Sequence, residues 1–111
     1  MLSQLGHAGM LERNIYNLIK FRIEGLTKGM GVEFATKNTR VYSVVSTFVE
    51  TPMINKLFRN RKFKKLLLDN ILIRKVSKES DVATAACYLT SDAASILTGT
   101  SIIVDGEWTT K

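Results

Sequence analysis

The 111-residue chain contains one cysteine, one proline, one histidine and one tryptophan. A lone Cys87 cannot form an internal disulfide and fits a reducing compartment. One histidine and one cysteine do not make a protein-only zinc site, so no metal ligands are assigned. No apolar run reaches the ~18 residues that a membrane helix needs, so no membrane partner is expected. The stretch Met1 to Gly9 has neither a basic leader nor a long apolar segment. An intracellular, cytoplasmic protein is therefore expected. Internal repeats and low-complexity tracts are also absent.

What is present has a globular balance, 45% hydrophobic and 23% charged, in a length that suits a single domain over 1–111. Sixteen Lys and Arg against ten Asp and Glu give a formal charge of +6. The excess is local: Lys56, Arg59, Arg61, Lys62, Lys64 and Lys65 fall within ten residues. The run reads as the solvated side of a helical region. A basic binding module with salt-dependent affinity for DNA or RNA is the alternative. No zinc finger, stacking platform or repeat supports it, and nucleic acid is not expected as a partner.

Four periodic segments organise the chain. From Ile15 to Ala35, the residues Ile15, Leu18, Ile19, Ile23, Leu26 and Met30 recur at helical spacing, with Asn14 as the expected N-cap. Arg40 to Val49 is rich in β-branched and aromatic residues and reads as a buried strand. Thr51-Pro52 is a helix-start signal, followed by one amphipathic helical region carrying Ile54, Leu57, Phe58 and Leu66 to Leu68. Glu79 to Leu89 places Val82, Ala85, Ala86 and Leu89 on one helical face, with acids in the first turn. A turn at Gly99 leads to a last strand, Ser101 to Val104, and a turn at Asp105-Gly106. Strands separated by helices imply parallel pairing in an α/β layer. Two such strands make a poor sheet, and Val41 to Val45 is too apolar for an exposed edge, so the segments read as part of a larger sheet.

Tyr16 and Lys20 stand four apart on the first helix and share a face. A tyrosine can donate a proton when something stabilises its phenolate, and an ammonium one turn away does so by charge attraction. The pair alone is weak, since a Tyr-x-x-x-Lys arises by chance in roughly one chain in four of this composition. A packed tyrosine beside a surface lysine is the plain alternative.

The surroundings of the pair carry more. Tyr16-Asn-Leu-Ile-Lys20, Ile23-Glu-Gly-Leu-Thr-Lys28, Arg40-Val41, Ser43-Val44 and Val49-Glu-Thr-Pro-Met53 occur in order, followed by Ser80-Asp-Val-Ala, Tyr88-Leu-Thr-Ser-Asp92, Leu97-Thr-Gly99 and Val104-Asp-Gly106. This series, covering nearly the whole chain, resembles the C-terminal half of the short-chain dehydrogenase/reductase family, with a tone similar to its small carbonyl and sugar reductases. The resemblance implies a partial Rossmann-like parallel sheet with covering helices, lacking the N-terminal cofactor-binding half. It implies Tyr16 as general acid/base, Lys20 as its electrostatic partner and ribose ligand, and Ser3, thirteen residues before Tyr16, as the group that hydrogen-bonds the substrate oxygen. Thr51 matches the threonine that touches the nicotinamide carboxamide, and it can equally cap the helix that Pro52 begins. The implied cofactor is NAD(P)(H), the implied reaction carbonyl reduction or alcohol oxidation on a small substrate, and the chain alone is expected to be inactive. The alternative is a non-catalytic fragment that forms a homo-oligomer or pairs with an intact relative through the Tyr16 helix.

Gly25-Leu-Thr-Lys-Gly29-Met-Gly31 spells the glycine pattern of the family's cofactor loop. That loop must follow a strand and open a helix, and here a helical pattern precedes it, so these glycines are expected inside the helix. Other positions depart from the family's pattern. Tyr42 stands where asparagine is usual and Ser46 where proline is usual. Leu72 and Arg74 replace common proline and glycine, and Glu107 replaces a glycine, at a cost if its φ is positive.

Overall fold

The computed structural model describes residues 1–110. Its elements are β1 (Leu2–Ser3), α1 (Asn14–Ala35), β2 (Tyr42–Ser46), α2 (Pro52–Leu57), α3 (Arg61–Asn70), α4 (Glu79–Thr90) and β3 (Thr100–Val104). Single 3-10 turns lie at Gln4–Gly6 and Asp92–Ala94. The strands form one parallel sheet in the order β1-β2-β3, with Ser3 opposite Ser46 and Val44 opposite Ile102. This is the partial parallel α/β layer expected, with β1 as a two-residue strand beside the two longer ones.

Alternation along β2 sends successive side chains to opposite faces. Val44 packs with Val82 and Leu89 of α4, while Ser43 meets α1. Helices therefore cover both faces, as a parallel sheet requires. Arg40 fixes the end of α4 to the sheet. Its guanidinium donates to the carbonyl oxygens of Leu89 at 3.0 Å and Ala94 at 2.6 Å, groups that a helix end otherwise leaves unpaired. A second cluster, Leu67, Ile71 and Val76 with Phe48, Phe58, Phe63 and Trp108, joins α3 to the segment after β2.

The glycine-patterned run lies inside α1, as expected, and two of its glycines differ sharply. A Cβ on Gly29 would meet nothing within 4 Å, whereas one on Gly31 would fall 2.4 Å from Gly99 Cα. Gly99 itself has φ +63° at the turn before β3. The helix backbone thus rests directly on a backbone turn.

Three local expectations need correction. The residue preceding α1 is Arg13, which makes no side-chain cap, and Asn14 is already helical. The region after Pro52 is two helices, because Asn60 starts a new one by accepting from Lys62 N at 3.0 Å and Phe63 N at 3.2 Å. The strand expected over Arg40 to Val49 pairs only over Tyr42–Ser46, and Val49 makes an isolated bridge to Ser77. The expected cost at Glu107 is present: its φ is 67°, and Arg74 stands at 55°. Each carries about 1 kcal/mol of backbone strain that glycine would not. Tyr42, in place of asparagine, is partly buried, and its buried hydroxyl oxygen has no hydrogen-bond partner among the described residues.

The glycine geometry gives opposed outcomes for one chemical change. Gly29→Ala should raise stability by about 0.5–1 kcal/mol by relieving helix-interior entropy. Gly31→Ala should lower it by about 3 kcal/mol, because the new methyl meets unyielding backbone. Urea melts of the two variants read the signs, and equal effects would refute the close crossing.

Candidate active site

The C-terminal ends of the parallel strands are where open α/β sheets place ligands. β1 ends at Ser3 and β2 at Ser46, and α1 begins beside them. Between them and α2 lies a cleft of about 630 Å3 whose lining includes Ser3, Tyr16, Thr47, Thr51, Met53 and Leu57. That size falls in the ~300–1,000 Å3 range of small-molecule sites.

Tyr16 and Lys20 do share a face of α1. Lys20 Nζ sits over the Tyr16 ring, 5.3 Å from its centroid, so the cation lies where the ring's negative face attracts it. Lys20 is not part of the cleft lining, while Tyr16 is. Ser3 also lines the cleft. Its hydroxyl donates to Gln4 Oε1 at 3.0 Å and accepts from Leu5 N at 3.4 Å. Thr51 precedes α2, and its Oγ1 accepts from Ile54 N at 3.4 Å, so the capping role expected from Thr51-Pro52 is present. Ser3, Tyr16 and Thr51 therefore border one cleft, with Lys20 behind the tyrosine.

Two lining residues went unnoticed in the sequence. Thr47 is 9% exposed, and its Oγ1 has no partner among the described residues. A buried hydroxyl left unpaired at a cleft wall is costly unless a ligand or solvent satisfies it. Its place just past the end of a strand was the available signal. Arg13, one turn before Tyr16, also lines the cleft and adds a positive charge to that wall. Among the described residues no group of three or more His, Cys, Asp and Glu could hold a metal, and no helix is long and apolar enough to cross a membrane.

The geometry has close relatives. A family model described as enoyl-(acyl carrier protein) reductase matches residues 1–109. The chain belongs to the short-chain dehydrogenase/reductase family. It is 34% identical to galactitol 2-dehydrogenase of Rhizobium johnstonii over 94 residues, covering 85% of this chain and 37% of that protein. It is 32% identical to L-xylulose reductase of Bos taurus, covering 94% and 43%. A solved 4-hydroxyisoleucine dehydrogenase complexed with NADH superposes with a TM-score of 0.95 at 30% identity, over 99% of this chain and 45% of that one. The chain thus spans less than half the length of these oxidoreductases.

In such a site Thr51 is asked to serve as both cap and wall. Thr51→Ala should cost about 1 kcal/mol by uncapping α2, and Thr51→Ser should restore it. Thermal melts compare them, and equal melting of all three proteins would remove the cap from the structure's support.

Proposed function

We propose that this chain carries the proton-transfer side of a short-chain dehydrogenase/reductase site acting on a small carbonyl or alcohol with NAD(P)(H). The observation that carries this reading is the Tyr16–Lys20 pair standing at a cleft bordered by Ser3 and Thr51. In the reducing direction the Tyr16 hydroxyl gives its proton to the substrate oxygen, with the Lys20 ammonium held over the ring. In the oxidising direction the phenolate takes the alcohol proton. Ser3 orients the substrate oxygen once its proton swings away from Gln4. Met53 and Leu57 provide apolar wall, which suits a substrate with few charges.

The residues fit one end of the cofactor only. Lys20 and Thr51, with the unpaired Thr47 hydroxyl, offer donors and acceptors for a nicotinamide riboside. The bound nicotinamide would supply or accept the hydride. The glycine-patterned run is inside α1, so its backbone N–H groups are held by the helix and cannot cradle a diphosphate. On this reading the 111 residues alone do not turn over.

A second reading rests on α1. Ile15, Leu18, Ile19 and Leu26 recur on the side turned from the sheet and are each about half or more exposed. A stripe of this kind suits a helix of a second copy or of an intact relative. It makes the chain an association module whether or not it is catalytic.

Nuclear magnetic resonance titration distinguishes these. The catalytic reading predicts that nicotinamide mononucleotide shifts the Ser3, Tyr16, Thr47 and Thr51 signals, with affinity on the order of millimolar. NADH should bind no more tightly. Silence at the cleft would contradict the reading, and micromolar NADH binding would contradict the missing cradle. The association reading predicts concentration-dependent sedimentation that Leu18→Glu abolishes. A wild-type chain that remains monomeric would end it.

A further inference from the structure

The side of α1 that meets the sheet carries a carboxylate. Glu24 is 13% exposed at its side chain and lies between α1 and the two longer strands. Ser101 Oγ, from β3, lies 2.6 Å from Glu24 Oε2 in a hydrogen bond, and Ser43 Oγ, from β2, lies 3.5 Å from the same oxygen. The two hydroxyls are themselves 2.5 Å apart, paired across the ladder. His7 Nε2 lies 3.4 Å from Oε2, a contact that is an ion pair when the imidazole is protonated, and among the described residues this nitrogen has no hydrogen-bond partner. Lys28 Nζ lies 3.9 Å from Oε1, but its side chain is 67% exposed, so it adds little.

One carboxylate therefore touches three separate parts of the chain. A buried carboxylate is costly unless several donors repay its lost hydration, and an apolar side chain would fill a helix–sheet contact more simply. What a carboxylate offers instead is direction: its oxygens accept only where donors stand. Glu24 also continues the ridge of Tyr16 and Lys20, since positions 16, 20 and 24 follow at intervals of four. His7 closes the turn after Ser3, its N–H donating to Gln4 O at 2.9 Å. The His7–Glu24 contact thus joins the arm bearing Ser3 to the helix bearing Tyr16 and Lys20, while the serines fix that helix in rotation on the sheet.

We propose that Glu24 is a positioning residue that locks the two arms of the cleft to each other and to β2 and β3. Its relevance to chemistry rests on the oxidoreductase reading, whereas the lock itself does not. Catalysis requires acid and orienting groups held within a fraction of an ångström, and a tie behind the site supplies that restraint.

Site-resolved amide exchange on the folded chain tests the lock. His7→Ala and Glu24→Gln should each speed exchange at the His7 and Ala8 amides, both bonded to Gln4 O, by about tenfold. The double variant should exchange no faster than either single one, because both remove the same contact. The Leu89 amide in α4 should be unaffected. Unchanged exchange at His7 and Ala8, additive effects, or equal acceleration at Leu89 would each overturn the lock. If Glu24→Gln does not fold, His7→Ala alone decides on the same local-versus-global comparison. Nicotinamide mononucleotide binding, measured in parallel, should weaken in His7→Ala at unchanged melting temperature. If the wild type binds no mononucleotide, the oxidoreductase reading fails while the exchange pattern still judges the lock.

Discussion

The close approach of one helix to one sheet governs this molecule. Gly31 lets the backbone of α1 rest on the Gly99 turn, and that contact sets how near the helix lies to β2 and β3. At this distance a carboxylate at Glu24 can reach hydroxyls on both strands. A bulkier residue at the crossing would lift the helix and separate those groups. Tyr16 and Lys20 ride on the first two turns of α1, where the Lys20 carbonyl oxygen approaches Gly6 in the turn after β1. The placement of the candidate acid thus depends on a contact fifteen residues further along the same helix.

The helix reverses the usual distribution of polarity. Its sheet side carries Glu24, buried Thr27 and Gly31, while Ile15, Leu18, Ile19 and Leu26 face away. Hydrogen bonds and backbone contact hold it inward, and apolar area is left outward. The lobe formed by α2 and α3 is built the other way, with Leu67 and Phe63 turned in and the basic residues in solvent. Lys64 lies over the Phe58 ring and Arg74 pairs with Asp69. The cationic run is divided between two helices and their link.

Much of this was legible in the chain. The four-residue spacing of Tyr16 and Lys20 survives as a ring–ammonium contact, because helical geometry fixes it. Thr51-Pro52 starts a helix for the same local reason. The glycine-patterned run could be dismissed because helical periodicity precedes it. What periodicity could not show was which face of α1 meets the sheet. Its apolar residues form the stronger stripe, yet the sheet offers serines at Ser43 and Ser101, and those call for Glu24. The break at Asn60 was hidden by basic residues on both sides, which continue a helical pattern while the asparagine side chain ends it. For Thr47 the sequence offered only a place just past the end of a strand, because its lack of a partner is a property of the folded cleft.

The most direct measurement is the nuclear Overhauser spectrum of the purified chain around Tyr16. A helix docked in this way predicts cross-peaks between the Tyr16 ring protons and the Lys20 ε-methylene, with those methylene protons shifted upfield by the ring. Free, solvent-averaged Lys20 signals without such cross-peaks, in a chain whose Gly31 and Gly99 signals still report contact, would contradict it.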